Sequence, residues 1–236
     1  MIDETTRRRP RLCLVRHGQG SLGTDDYDRL SPTGHRQAEL TGQRLSESCS
    51  GSDRMLWSGS LRRHRQTLAC MDEAEQATIS DDLNEYRVDR LIEAARSQAG
   101  LLDLQVPGEQ AFADPKAYLQ TFLDWFPSVL DHWQQARLEC PDNGPWQGFR
   151  QRIRRPLADW QAGLAEGRDA VVVTSAGVIS TLVSELTGQD LAYQRQLNVE
   201  LLNASVSELT LDEAGRWQIR RLNCVEHLDR GLHTLA

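Results

Sequence analysis

At 236 residues, with 39% hydrophobic and 26% charged side chains, the chain has the make-up of a soluble globular protein able to bury a core without disulfide or metal staples. A net charge of −7 speaks against a general nucleic-acid binder, and no run approaches the ~20 apolar residues of a membrane span. Five scattered cysteines with no C-x-x-C pair argue against a disulfide framework or a zinc site, and nothing behind Arg7-Arg8-Arg9 resembles a signal peptide, so cytoplasm is the expected compartment.

Residues 1–10 read as a flexible tail. The first predicted strand is Arg11-Leu12-Cys13-Leu14-Val15, followed at once by Arg16-His17-Gly18. Ser31 as N-cap and Pro32 at the first helical position open a helix to about Ser46. Its Gly34, Ala38 and Gly42 recur every four residues and form a small face suited to close packing on a sheet. A second strand, Met55-Leu56-Trp57, runs into Ser58-Gly59-Ser60 and a helix from about Leu61. A short third strand near Thr78–Ser80 leads to Leu83-Asn84-Glu85.

Residues 86–150 interrupt this alternation and read as an inserted helical lid. Val106-Pro107-Gly108 is a turn, and Asp114-Pro115 starts a helix to roughly Leu138. Its Tyr118, Phe122, Trp125, Phe126, Val129 and Trp133 recur at helical spacing, which marks a core-facing stripe. A further helix spans about Trp146–Leu164, kinked or interrupted at Pro156. The run Ala170–Val173 is another buried strand, followed by Thr174-Ser175-Ala176-Gly177 and a helix from about Val178 to Leu186. Ser205–Leu211 and Trp217–Leu222 form a C-terminal antiparallel hairpin around residues 212–215. The whole reads as one α/β domain with a mostly parallel sheet flanked by helices. Ligands of such sheets bind beyond the carboxyl ends of the strands, where the three polar turns should meet.

Chemistry concentrates in those turns. A histidine at the end of a buried strand, between arginine and glycine, suits phosphoryl transfer. Arginine offers a permanently charged fork to phosphate oxygens and depresses the histidine pKa. Neutral imidazole has a lone pair that can attack phosphorus, and Gly18 lets a phosphate approach the backbone. Arg62, Arg63 and Arg65 crowd the start of the second helix, a placement the helix dipole disfavours unless an anion binds there. Arg63 is expected to face that anion. Glu85 is a candidate general acid.

Together, Arg16-His17-Gly18, Leu30-Ser31-Pro32-Thr33-Gly34 with Gln37-Ala38, Ser58–Thr67 and Leu83-Asn84-Glu85 resemble the histidine phosphatase superfamily, the phosphoglycerate-mutase-like proteins, over residues from Leu12 to about Leu228. Arg16–Gly23 and Asp26-Tyr27-Asp28 resemble a bacterial R-H-G-Q-x-S-x-G group within it. The resemblance implies a three-layer α/β sandwich and a phosphohistidine on His17. It further implies that Arg16 and Arg63 clamp the phosphoryl group, that Glu85 serves as proton donor and then base, and that no metal or cofactor is needed. The substrate would be a phosphorylated small molecule or a phosphoprotein. One departure stands out: the pattern S-H-G-G is replaced by Thr174-Ser175-Ala176-Gly177, with Ser175 where the second histidine belongs. Serine donates a hydrogen bond but carries no charge, so turnover is expected to be slow, with Ser175 and the backbone at Ala176 left to hold the anion. Gln19, His64 and His227 are accessory candidates. A degenerate family member that binds without turnover is the alternative reading. A phosphoglycerate mutase is disfavoured, because Tyr86-Arg87-Val88-Asp89 replaces the R-H-Y-G of mutases.

Overall fold

A computed structural model describes residues 8–21, 28–48, 53–108 and 115–235. Six strands form one sheet: β1 (Leu12–Arg16), β2 (Arg54–Ser58), β3 (Thr78–Ile79), β4 (Asp169–Thr174), β5 (Val206–Leu211) and β6 (Trp217–Cys224), in the order β3-β2-β4-β1-β5-β6. The first four neighbours pair in parallel and the C-terminal hairpin adds two antiparallel strands. The apolar runs at β1 and β4 are buried along their whole length, as central parallel strands must be when both faces are covered.

Period-2 alternation assigns the faces. Cys13, Val15, Val171 and Val173 point into one cluster with Leu45, Leu68 and Met71. That layer holds α1 (Pro32–Ser48) and α2 (Arg62–Leu68). Leu12, Leu14, Ala170 and Val172 point into the larger cluster on the other face. Its helices are α3 (Val88–Leu102), α4 (Pro115–Gln134), α5 (Trp146–Ile153), α6 (Leu157–Ala165), α7 (Ala176–Thr187) and α8 (Leu191–Glu200). The three-layer sandwich expected from the sequence is the observed architecture. The sequence left α3 and α8 unassigned. Pro156 does interrupt its helix, dividing α5 from α6.

Helices α4 and α5 pack around Tyr86. Its ring lies 6.4 Å from Phe126, 5.3 Å from Trp133 and 5.2 Å from Phe149. Phe126, Val129 and Trp133 are core residues, as their spacing predicts. Tyr118 and the expected cap Asp114 lie outside what can be described. The small face of α1 serves a purpose other than sheet packing. A Cβ on Gly34 would fall 2.1 Å from the carbonyl oxygen of Gln19, and one on Gly42 1.9 Å from that of Cys70, at the end of α2.

At the amino end of the sheet Arg11 donates to Glu208 at 2.9 Å and its backbone N–H to Asp169 at 2.8 Å. Arg8 pairs with the same Asp169 and Arg9 with Glu213. Of the tail expected over residues 1–10, Arg8 and Arg9 make these ion pairs, and residues 1–7 lie outside the described structure. Among the described residues, no helix is long and apolar enough to cross a membrane.

Candidate active site

The parallel register brings the three polar turns to one level. Arg16 pairs with Thr174 and Ser58 with Val173. Just beyond, the His17 N–H donates to Thr174 O at 2.9 Å and the Gly59 N–H to Val173 O at 3.1 Å. His17, Gly59 and Ser175 thus stand side by side at the carboxyl edge. The His17 carbonyl accepts from the Ala204 N–H at 3.1 Å, where Ala204 takes the uncommon left-handed conformation with φ of 58°.

The orientation of the His17 imidazole follows from its partners. Nδ1 lies 2.7 Å from Gly18 O, a contact that requires Nδ1–H and leaves the lone pair on Nε2. That Nε2 accepts from Arg63 Nε at 3.2 Å. Burial is the first cause that drives the His17 pKa well below its ordinary value; the charge of Arg63, the cost of a second cation beside the His64 imidazole and the charge of Arg16 add to it. The sequence had pointed to arginine alone.

Arg63 also donates through Nη1 to Asp28 Oδ1 at 2.7 Å, and Asp28 Oδ2 accepts the Arg62 N–H at 2.9 Å. The anion expected at the start of α2 is thus supplied in part by the protein. The Arg16 guanidinium bonds the carbonyls of Leu201 and, at 2.7 Å, Leu235.

Glu85 follows a tight turn, Asp81–Leu83, capped by Ser80. Arg152 of α5 holds this turn by donating to the carbonyls of Asp81, Asp82 and Asn84 at 2.7 to 2.9 Å. Thr174 Oγ1 donates to Leu83 O at 2.6 Å and ties the turn to β4. Glu85 Oε2 accepts from the Gly177 N–H at 2.8 Å and Oε1 from the Tyr86 N–H at 3.1 Å. Burial raises its pKa, and those two N–H groups together with Arg63 and Arg16 oppose the rise.

Ser175 Oγ lies 2.6 Å from His64 Nε2, both side chains being buried, and the His64 ring centroid is 5.5 Å from that of His17. His64 is therefore in the site. Ala176 opens α7 directly after Ser175. Gly18 has a different reason to be glycine from the one expected. A Cβ there would lie 2.3 Å from Gly34 O, and its N–H is already given to Thr67 Oγ1 at 3.0 Å. Gln19 braces the start of α1, donating its N–H to Gln37 Oε1 and accepting from Ser31 Oγ, both at 2.8 Å. His227 Nε2 lies 2.9 Å from Thr41 Oγ1 on α1, which makes it a strut between elements. Arg152 went unnoticed in the sequence, where nothing sets it apart from its arginine neighbours. Asp28 had a signal, the D-Y-D run, but its role depends on meeting α2.

The histidine phosphatase superfamily (branch 1) profile matches residues 12–99 and 114–225. No curated protein matches the sequence significantly. Among solved structures, the mycobacterial glucosyl-3-phosphoglycerate phosphatase superposes with a TM-score of 0.61 at 20% identity, covering 92% of this chain and 100% of that one. A putative alpha-ribazole-5'-P phosphatase from Escherichia coli gives 0.60 at 19% identity, covering 92% and 97% of the two chains. A phosphoserine phosphatase variant from Entamoeba histolytica gives 0.62 at 15%, covering 93% and 99%. The chain belongs to the histidine phosphatase superfamily.

Proposed function

We propose that this histidine phosphatase superfamily member hydrolyses phosphate monoesters through a phosphohistidine on His17. The observation that carries the reading is the set of contacts at that imidazole: Nδ1–H held by Gly18 O and a lone pair on Nε2 facing the Arg63 fork. In the first step Nε2 attacks phosphorus and the P–O bond to the alcohol breaks. Glu85 gives its proton to the departing oxygen. In the second step Glu85 takes a proton from water, which attacks phosphorus, and the P–N bond breaks to release orthophosphate and free His17. Burial shifts Glu85 toward the protonated form that the first step uses, and its ionised form serves the second.

Arg63 stabilises charge on the equatorial oxygens by exchanging its bond to His17 for bonds to the phosphoryl group. Arg16 adds its positive charge to the site while its Nη atoms hold backbone carbonyls, and Ser175 donates through its hydroxyl. A pure binding module would gain nothing from a partly buried carboxyl of raised pKa, held in place by the Gly177 and Tyr86 N–H groups, which favours turnover over the binding-only alternative. The substrate class is a phosphorylated small molecule, the kind of substrate named by the glucosyl-3-phosphoglycerate and alpha-ribazole-5'-P phosphatases of the same fold. Phosphate release from a panel of such esters, without added metal, tests the reading. It predicts turnover by the native chain and none above background by His17→Ala with its fold intact.

A further inference from the structure

We infer that His64 and Ser175 together replace the second histidine of the phosphate pocket, Ser175 touching the phosphoryl oxygen and His64 orienting it. The inference rests on the phosphohistidine reading of the same site and assigns the gap that Ser175 leaves in it.

The imidazole missing from position 175 has not left the site; it arrives from the neighbouring helix. His64 Nε2 lies 2.6 Å from Ser175 Oγ, and both side chains are at most 1% exposed. The space is built for this ring on both sides. A Cβ on Gly59 would come within 2.2 Å of His64 Nδ1, so the residue opposite Ser175 has to be glycine. Gly59 and Ser175 thus flank the ring, and a side chain at position 59 would collide with it.

The hydrogen-bond direction follows from the buried Nδ1. It has no hydrogen-bond partner among the described residues and sits against Gly59. A proton there would be an orphaned buried N–H, a rarer and costlier situation than an orphaned acceptor. The proton is therefore on Nε2, and it is donated to Ser175 Oγ. With Ser175 Oγ accepting from His64, its O–H is left as a donor for a phosphoryl oxygen. His17 and Ser175 follow residues paired in parallel register, Arg16 and Thr174, so this donor stands beside the nucleophile. Burial and the neighbouring Arg63 keep His64 neutral, so its task is to aim the hydroxyl rather than bring charge. His64 is thus a positioning residue and Ser175 the group that meets the substrate.

The test is an exchange of side chains, read as kcat and KM on a phosphomonoester turned over by the native enzyme, with thermal unfolding to confirm folding. His64→Leu keeps the volume and removes the donor; kcat should fall about 10²-fold with KM changed less than about threefold. His64→Gln places an amide N–H near the position of Nε2 and should keep kcat within about tenfold of native. Ser175→His alone sets two imidazoles in one space and should be as impaired as His64→Leu. Combining His64→Ala with Ser175→His should restore kcat to within about tenfold, since the ring then enters from the other side. A folded His64→Leu enzyme with native kcat would overturn the inference and leave the phosphohistidine reading intact. So would a double variant no better than Ser175→His. A native chain showing no His17-dependent turnover would instead remove the reading on which the inference stands. Should His64→Leu fail to fold, His64→Gln and the double variant decide the matter.

Discussion

Arg63 Nε meets His17 Nε2 at 3.2 Å, on the lone pair that would attack phosphorus. The same arginine reaches Asp28 through Nη1, so one guanidinium links the nucleophile to the cap of α2. On the proposed mechanism, a phosphoryl group entering the site would take over the bond between Arg63 and His17, turning a resting contact into a transition-state contact. Arg63 is also the largest electrostatic cause, after burial, of the depressed His17 pKa. Arg63→Met should therefore lower kcat/KM about 10³-fold. Removing the positive charge should also raise the His17 pKa, moving the acid limb of the kcat/KM profile to higher pH. A limb that stays in place would show that Arg63 exerts no field on the nucleophile.

The pH profile of the native enzyme follows from two groups shifted in opposite directions. His17 must be neutral, and its pKa is well below the usual value of about 6.5. Glu85 must be protonated, and its pKa is raised above the usual value of about 4.3. Both shifts widen the working range: the acid limb lies below the ordinary imidazole pKa and the alkaline limb above the ordinary carboxyl pKa. Glu85→Gln should abolish the alkaline limb. Its cost in kcat/KM, which reports phosphorylation of His17, should be about 10² to 10⁴ for alkyl esters and much smaller for p-nitrophenyl phosphate, whose leaving group needs little protonation. Equal losses on both substrates would deny Glu85 the role of proton donor.

Arg152 should affect the reaction without meeting the substrate. Its guanidinium holds three carbonyls of the turn that carries Glu85. Arg152→Lys offers a single ammonium in place of a planar fork and cannot satisfy all three. The expected result is a kcat loss of about tenfold for alkyl esters, a smaller loss for p-nitrophenyl phosphate, and a destabilisation of about 1 to 3 kcal/mol. Equal loss on both substrates would separate Arg152 from the work of Glu85.

Buried neutral histidines also make stability depend on pH. The folded-state pKa values of His17 and His64 are both depressed, so the unfolded chain binds protons first as pH falls. Their contribution is complete above about pH 6.5 and is lost progressively below it. Each histidine adds a slope of at most about 1.4 kcal/mol per pH unit. Denaturant titrations between pH 7 and pH 5 should show a shallower decline in His64→Leu than in the native chain. Equal slopes would mean that His64 titrates alike in both states.

Much of this architecture was legible because it rests on local signals. The β1 and β4 runs, the Ser31-Pro32 start of α1 and the break at Pro156 each declare themselves within a few residues. So did the turns that carry His17, Arg63, Glu85 and Ser175, because the parallel sheet leaves them only one edge to share. What stayed hidden depends on contacts between distant segments. The sequence shows that Ser175 is an exception and that His64 lies beside Arg63, yet nothing local says that the two side chains touch. Likewise the reason for glycine at position 18 is a carbonyl of α1, and Arg152 acts through backbone oxygens about 70 residues away. The stripe of Gly34 and Gly42 marks a close-packing face, but its partners are the loop at Gln19 and the turn after α2 at Cys70, not the sheet.

The central claim is that the phosphoryl group is carried on His17. Rapid quenching of the native enzyme under alkaline conditions during turnover of a 32P-labelled monoester, followed by peptide mapping, tests it most directly. The account predicts an acid-labile, base-stable phosphoryl adduct on the peptide containing His17, absent from His17→Ala, which should retain its fold and lose turnover. An adduct on another side chain, or native turnover persisting in His17→Ala, would contradict it.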